Sequence, residues 1–348
     1  MVPVTAGDHL PTAEDVAWLP VEEPSAVGAA RRAATGLAER LAFPENRAAE
    51  VGLVVTELAT NLAKHADQGV LLLRALRTVD RAELEVAAVD RGPGMADLDL
   101  AFRDGHSTTG TLGIGLGAVV RLSDSYAVRS VVGRGTILTA RFCPDESPRR
   151  RTTAVDTAAG VTRPMGGEQI CGDAYAIRRQ DNRMLLMLAD GSGHGPLAAS
   201  ASQAAVRTFL DAPWTSPEEL VRMLHTGMNG TRGGAVAVAE LDPAASLVRY
   251  AGVGNIAGTV VSDRKRGMVS LPGIAGYQAR TIKRFDYELP DDAVVVLHSD
   301  GLTERWTADP LDLWRARPLV IALELLRDAG VRRDDASVVV AKAGVHES

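Results

Sequence analysis

Apolar positions recur at three- and four-residue intervals across Arg47–His65, where Val51, Val54, Val55, Leu58 and Leu62 fall on one side. That spacing predicts a strong amphipathic helix. Ser25–Leu41 carries a second helical pattern. Val70–Arg77 and Leu84–Val89 read as strands, and Tyr126–Val132 and Thr136–Phe142 flank Gly133-Arg-Gly135, a hairpin signal. The first part of the chain is therefore expected to be an α/β sandwich, helices covering one face of a mixed sheet. From Pro144 to Pro164 the residues are polar, small and rich in Pro and Arg, with no apolar period, so 144–165 reads as a linker. Beyond it the texture changes. Ala174–Arg178, Met184–Ala189, Ala235–Leu241, Val248–Val253, Ala257–Val261, Ala293–His298 and Ser337–Ala341 read as short strands. Pro196–Leu210, Pro217–Met228 and Pro318–Ala329 read as helices. Many strands with few helices predict a β-sandwich flanked by helices. The expected class is α+β with two domains, 1–143 and 166–345, and no short-period repeat.

Composition adds limits rather than detail. A length of 348 residues suits two separate cores, and 46% hydrophobic with 24% charged residues is ordinary for a soluble protein. A net charge of −6 without a lysine-rich tract gives nucleic-acid binding no electrostatic support. The two cysteines, Cys143 and Cys171, lack metal-ligand spacing and fit a reduced, cytoplasmic setting. No run reaches the ~18 apolar residues of a membrane span, and no signal-peptide pattern opens the chain.

Three elements carry candidate ATP chemistry. Glu57, Asn61 and His65 lie four residues apart on one helix face, with Lys64 beside them. An asparagine carbonyl suits Mg²⁺, and a nearby carboxylate can deprotonate or orient an attacking hydroxyl. Taken alone, such a row is as well explained by a solvated helix face. The strand Leu84–Val89 ends in Asp90-Arg-Gly92-Pro-Gly94-Met95, where an Asp can accept from an adenine amino group and glycines admit a flat base. Gly113-Ile-Gly115-Leu116-Gly117 then opens an apolar segment, Ala118–Leu122, offering backbone N–H groups to phosphates. In this order and spacing the elements resemble the N, G1 and G2 boxes of the GHKL ATPase superfamily, which has the Bergerat fold. Asp104-Gly-His-Ser-Thr-Thr-Gly-Thr-Leu-Gly-Ile-Gly-Leu-Gly117 resembles the anti-sigma-factor serine kinases of the RsbT type. The resemblance implies Glu57 as general base, Asn61 as Mg²⁺ ligand, Asp90 as adenine contact and Ser107–Gly117 as the ATP lid. Lys64, Gly92, Gly94, Thr108, Thr109, Gly113, Gly115, Leu116 and Gly117 would complete the nucleotide site. A sensor histidine kinase would need a helical hairpin presenting a histidine, and only His9, in an unpatterned stretch, precedes this region.

The second half carries aspartates at the ends of apolar runs. Asp173 follows Cys171-Gly172, Asp190 enters Gly191-Ser-Gly193-His-Gly195, Asp300 enters Gly301-Leu-Thr-Glu304, and Asp334-Asp335 precede a strand. Any single Asp-Gly is more often a turn. Four together suit two hard divalent cations that acidify a water for in-line attack on phosphorus. Cys-Gly-Asp173, Ala-Asp190-Gly-Ser-Gly-His-Gly, Arg232-Gly-Gly-Ala, Val253-Gly-Asn255 and His298-Ser-Asp300-Gly-Leu resemble PPM-type serine/threonine phosphatases of the SpoIIE branch, RsbX-type in particular. The resemblance implies two Mn²⁺ or Mg²⁺ held by Asp173, Asp190, the Gly191 carbonyl, Asp300 and Asp334, Asp334 being preferred to Asp335. His194 is read equally as a phosphate contact or a loop cap.

Together the resemblances imply a bifunctional kinase and phosphatase of a bacterial partner-switching pathway, acting on STAS-domain proteins, with a sigma factor or a phosphatase activator as further partners. The alternative is that the ATP domain sequesters such a partner while the phosphatase alone is catalytic.

Overall fold

The computed structural model describes residues 12–77, 82–102, 115–145, 157–307, 312–331 and 333–344. The chain divides into two compact units, Pro11–Ala154 and a second that runs from Val155 onward.

The first unit runs β1 (Thr12–Pro20), α1 (Pro24–Arg40), α2 (Glu45–His65), β2 (Val70–Arg77), β3 (Ala82–Val89), α3 (Leu98–Phe102), α4 (Gly117–Leu122), β4 (Ser125–Val131) and β5 (Gly135–Phe142). Its sheet has the order β1-β2-β3-β5-β4. Every pairing among these strands is antiparallel, so the expected mixed sheet is corrected to an antiparallel one. The cause is topological: the chain leaves β3 through two helices, then returns as a hairpin whose second strand, β5, slots beside β3. Leu71, Leu73, Ala75, Leu84, Val86 and Leu138 alternate onto one face and pack with the apolar sides of α1 and α2. β1 has no clear apolar alternation, because its register shifts between Asp15 and Ala17 and the Asp15 side chain is buried on the sheet face away from α1 and α2. Asp15 takes the Arg74 guanidinium at 2.5 Å, Arg74 reaches Glu85 at 3.0 Å, and Glu85 accepts from Arg141 at 3.0 Å. A charge ladder thus crosses four strands.

Arg47, only 5% exposed, ties the helices to the sheet. It donates to the Leu122 carbonyl at 2.7 Å and the Cys143 carbonyl at 3.0 Å, and its guanidinium pairs with Glu50 and Asp124. Removing one partner of a buried ion pair leaves the other charge stranded, typically at a cost of about 3–5 kcal/mol. Arg47→Ala is therefore expected to destabilise this unit by about that amount, measured by denaturant unfolding.

The second unit runs β6 (Ala158–Arg163), β7 (Asp173–Gln180), β8 (Arg183–Gly191), α5 (Pro196–Asp211), α6 (Pro217–Gly227), β9 (Gly234–Asp242), β10 (Leu247–Val253), β11 (Ala257–Val261), β12 (Lys265–Met268), β13 (Phe285–Glu288), β14 (Val294–His298), α7 (Pro318–Ala329) and β15 (Ala336–Lys342). Two five-stranded sheets, β13-β10-β9-β8-β7 and β12-β11-β14-β15-β6, face each other. β8 shows why its run is apolar throughout. Met184, Leu186 and Leu188 enter the sandwich core, while Leu185, Met187 and Ala189 point the other way beneath α5 and α6. α7 covers the outer side of β15 and β6.

β6 falls inside the segment that reads from sequence as linker. Its Gly160 has no room for a side chain because the Tyr175 ring lies against it, and a Cβ there would come within 2.5 Å of Tyr175 Cε2. A strand built to receive a neighbouring ring lacks the bulky run that marks strands.

Candidate functional site

In the first unit, α2 and the turn after β3 are brought together by close backbone packing. A Cβ on Gly92 would meet the His65 carbonyl at 2.9 Å, and Arg91 N–H donates to the Asp67 carbonyl at 2.9 Å. Asp90 shapes its own turn: Oδ1 accepts from Gly92 N at 2.7 Å and Thr136 N at 3.2 Å. Gly94 sits at φ +70, and a Cβ there would fall 2.3 Å from the Val131 carbonyl, so the turn lies flush on the β4–β5 hairpin. Ser130 Oγ, bonded to Thr136 Oγ1, receives Met95 N–H at 2.7 Å. Thr136 and Ser130 are supports that motif reading missed; only their place in the hairpin would have pointed to them.

Along α2, Glu57 and Asn61 are half-buried, one helical turn apart, while Lys64 and His65 are exposed. Burial raises the Glu57 carboxyl above the usual carboxylate range, partly offset by the Lys64 ammonium. Gly115, Leu116 and Gly117 lie at the start of α4, which packs on α2. Thr108, Thr109, Gly113 and most of the expected lid lie outside the described residues.

In the second unit the four aspartates meet at one end of the sandwich. β7 and β8 place Asp173 directly opposite Asp190 in register. Asp173 is 4% exposed and accepts from Ser337 Oγ at 2.8 Å, a bond that crosses from one sheet to the other. Asp300 Oδ2 accepts from Asn255 Nδ2 at 2.7 Å. The loops bearing Asp300 and Asp334 are stitched by Val331 N–H to the Gly301 carbonyl at 2.7 Å. Gly301 has no room for a side chain, since a Cβ would lie 1.9 Å from the Asp335 carbonyl. Gly301→Ala is expected to part these loops and remove Mn²⁺ binding, measured by calorimetric titration.

The adjacent acids Asp334 and Asp335 have different surroundings. Asp335 is 3% exposed, and its carboxylate receives Met165 N–H at 2.8 Å and Gly172 N–H at 2.9 Å. Asp334 instead lines an open cleft of about 660 Å³ with Asp190, Asp300, Asn255, His194 and Arg333. His194 Nδ1 lies 3.1 Å from Glu168 Oε1. Burial, then the neighbouring carboxylates, raises Asp190 well above its ordinary range, and it shares a hydrogen bond with Asp173. Asp173 and Asp334 are raised in the same sense, burial being the first cause for each.

These donors fit hard divalent cations. Crowded, desolvated carboxylates gain from a positive neighbour, and Mg²⁺ or Mn²⁺ prefers oxygen ligands and retains waters. Among the described residues no three acidic, histidine or cysteine side chains close into a cage on their own, so the carboxylates rim an open cleft. Ser337 and Ser299, which hold Asp173, were not read as site residues; Ser337 carries a weak signal, two residues past the acidic pair at a strand start.

The two folds define the class: a histidine-kinase-like ATPase unit joined to a PP2C-like phosphatase sandwich. Residues 21–142 match the histidine kinase-like ATPase domain family, and residues 180–343 match stage II sporulation protein E (SpoIIE). The first region is 35% identical over 112 residues to the serine/threonine-protein kinase RsbT of Bacillus subtilis (strain 168), covering 32% of this chain and 84% of that protein. The phosphoserine phosphatase RsbX of the same organism is 24% identical over 139 residues, covering 39% of this chain and 69% of its own length. A solved structure described as the bacterial stressosome, a modular system adapted to control secondary messenger signaling, matches with TM-score 0.50 and 30% identity. It covers 53% of this chain and 98% of its own. The chain belongs to the RsbT kinase family through its first unit and carries a SpoIIE-type phosphatase domain as its second. Its second unit is homologous to PP2C-type serine/threonine phosphatases and its first to a serine/threonine kinase, and these families imply ATP and Mg²⁺ or Mn²⁺ dependence.

Proposed function

We propose that this chain sets the phosphorylation level of STAS-domain proteins in a bacterial partner-switching circuit, its first unit adding phosphate to Ser or Thr and its second removing it. The observation that carries the reading is the pair of distinct acidic sites, a basic Glu57 on a nucleotide-type helix face and a crowded aspartate rim at a sandwich end.

In the first site Glu57 accepts the proton of the attacking hydroxyl; its raised basicity suits a general base. Asn61 would hold Mg²⁺, Asp90 would receive the adenine amino group, and Lys64, Gly92, Gly94, Thr108, Thr109, Gly113, Gly115, Leu116 and Gly117 would complete the nucleotide site. In the second site Asp173, Asp190, the Gly191 carbonyl, Asp300 and Asp334 would hold two Mn²⁺ or Mg²⁺. Bound cations supply an acidified water and screen phosphate charge. The chain's own part there is orientation: Asn255 holds Asp300, Ser337 holds Asp173, and Asp335 is committed to the backbone that brings Gly172 beside it. Asp334 is the ligand of its pair because it faces the cleft. Among the described residues no helix is long and apolar enough to cross a membrane. The proposed setting is the cytoplasm, with a sigma factor or a phosphatase activator as further partners.

Labelled ATP with candidate STAS proteins tests the reading. Transfer of label to a Ser or Thr of a STAS protein, and its release on adding Mn²⁺, is expected. Tight binding of a STAS protein without transfer would mean that the first unit sequesters rather than phosphorylates.

A further inference from the structure

His298 ends β14 two residues before Asp300, and it is 2% exposed. The partners of its two ring nitrogens fix its tautomer. The Ser299 carbonyl lies 2.9 Å from Nδ1 and can only accept, so Nδ1 carries the proton. The Trp306 indole N–H lies 3.3 Å from Nε2 and can only donate, so Nε2 presents its lone pair. Trp306 is itself held. The Lys265 ammonium sits 3.4 Å from its ring centroid and donates to the carbonyls of Glu304 at 3.1 Å and Trp306 at 3.0 Å. The Trp314 ring lies 5.8 Å away on another side.

Ser299 is the joint between this cluster and the carboxylate rim. Its hydroxyl accepts from Ser337 N at 3.0 Å and hydrogen-bonds Asp173. Its N–H donates to the Ser337 carbonyl at 3.2 Å, and the residue that follows it is Asp300. The peptide that His298 holds thus governs one aspartate through a side chain and another through the backbone.

We propose that His298 and Trp306 are positioning residues for the metal-binding carboxylates. The indole locks the imidazole tautomer, the imidazole fixes the Ser299 peptide, and Ser299 sets Asp173 and Asp300. The inference rests on the reading of the aspartate rim as a divalent-cation site. Groups that orient metal ligands from outside the ligand sphere typically change affinity by about 10–100-fold when removed.

The test is Mn²⁺ affinity of the full chain by calorimetry, with thermal unfolding in EDTA as a check on folding. His298→Leu fills similar volume without either ring nitrogen and should weaken Mn²⁺ binding by about 10–100-fold. His298→Asn can still donate to the Ser299 carbonyl and should recover much of that loss. Trp306→Phe keeps a ring for Lys265 and Trp314 but removes the N–H, and should weaken Mn²⁺ by about two- to tenfold, one hydrogen bond's worth. A cluster that merely packs would lower the melting temperature and leave Mn²⁺ affinity alone. A folded His298→Leu that binds Mn²⁺ within about twofold of wild type, less than the loss of one hydrogen bond, therefore overturns the proposal. If His298→Leu does not fold, Trp306→Phe decides: unchanged Mn²⁺ affinity overturns it and weakened affinity supports it. Wild-type protein that binds no Mn²⁺ would instead refute the underlying cation-site reading.

Discussion

Asp190→Asn should abolish Mn²⁺-dependent phosphatase activity while leaving ATP-dependent phosphoryl transfer intact. Metal catalysis supplies several kcal/mol, and each 1.36 kcal/mol is tenfold in rate, so a loss of about 10³-fold or more in kcat is expected. The same variant carries an opposite prediction for stability without metal. Burial, then Asp173, Asp300 and Asp334, raises the Asp190 carboxyl, so the fold favours its neutral form. A group raised in the folded state stabilises fully below its unfolded value, and that contribution is lost as pH rises through the folded value. In EDTA the second unit of wild type should therefore lose stability as pH climbs above the ordinary carboxylate range. Asn is neutral throughout and can still donate to Asp173. Asp190→Asn should thus melt higher than wild type in EDTA at pH 8, with the difference shrinking toward pH 4. A variant that melts lower at pH 8 would show that the carboxylates are not in conflict.

Asn61→Ala should remove phosphoryl transfer from ATP and leave Mn²⁺-dependent phosphate release unchanged. Asn61 is half-buried one turn beyond Glu57, and the other side-chain amide of α2, Asn46, lies about four turns away along the helix. Glu57→Gln should lower the transfer rate by about 10²–10⁴-fold, the usual contribution of a general base, with ATP binding retained. Label transfer to a STAS protein, with nucleotide affinity measured separately, distinguishes loss of chemistry from loss of binding. Transfer by Asn61→Ala at the wild-type rate would remove Asn61 from the Mg²⁺ site.

Much of both folds was legible where burial is one-sided or complete. α2 shows its Val51, Val55, Leu58 and Leu62 stripe, and β8 shows an unbroken apolar run because both its faces are covered. What sequence hid were elements whose partners are polar or unusually shaped. β1 carries a buried Asp15 because Arg74 pairs with it, and β6 has Gly160 at its centre because the Tyr175 ring lies there. Strand direction was also hidden, since pairing order, not pattern, makes β5 the antiparallel neighbour of β3. The candidate site residues were legible as types at strand ends, but their surroundings were not. Nothing in Asp334-Asp335 shows that one carboxylate is spent on the N–H groups of Met165 and Gly172 while the other faces the cleft.

The central claim is that one chain carries two opposed activities on separate sites. Two single variants put it to the test on one STAS protein. Asp190→Asn protein with ATP and Mg²⁺ should accumulate labelled phosphoprotein, and Asn61→Ala protein with Mn²⁺ should then release the label as inorganic phosphate. Failure of Asp190→Asn protein to label any STAS protein, or release by Asn61→Ala protein no faster than without enzyme, would contradict the account.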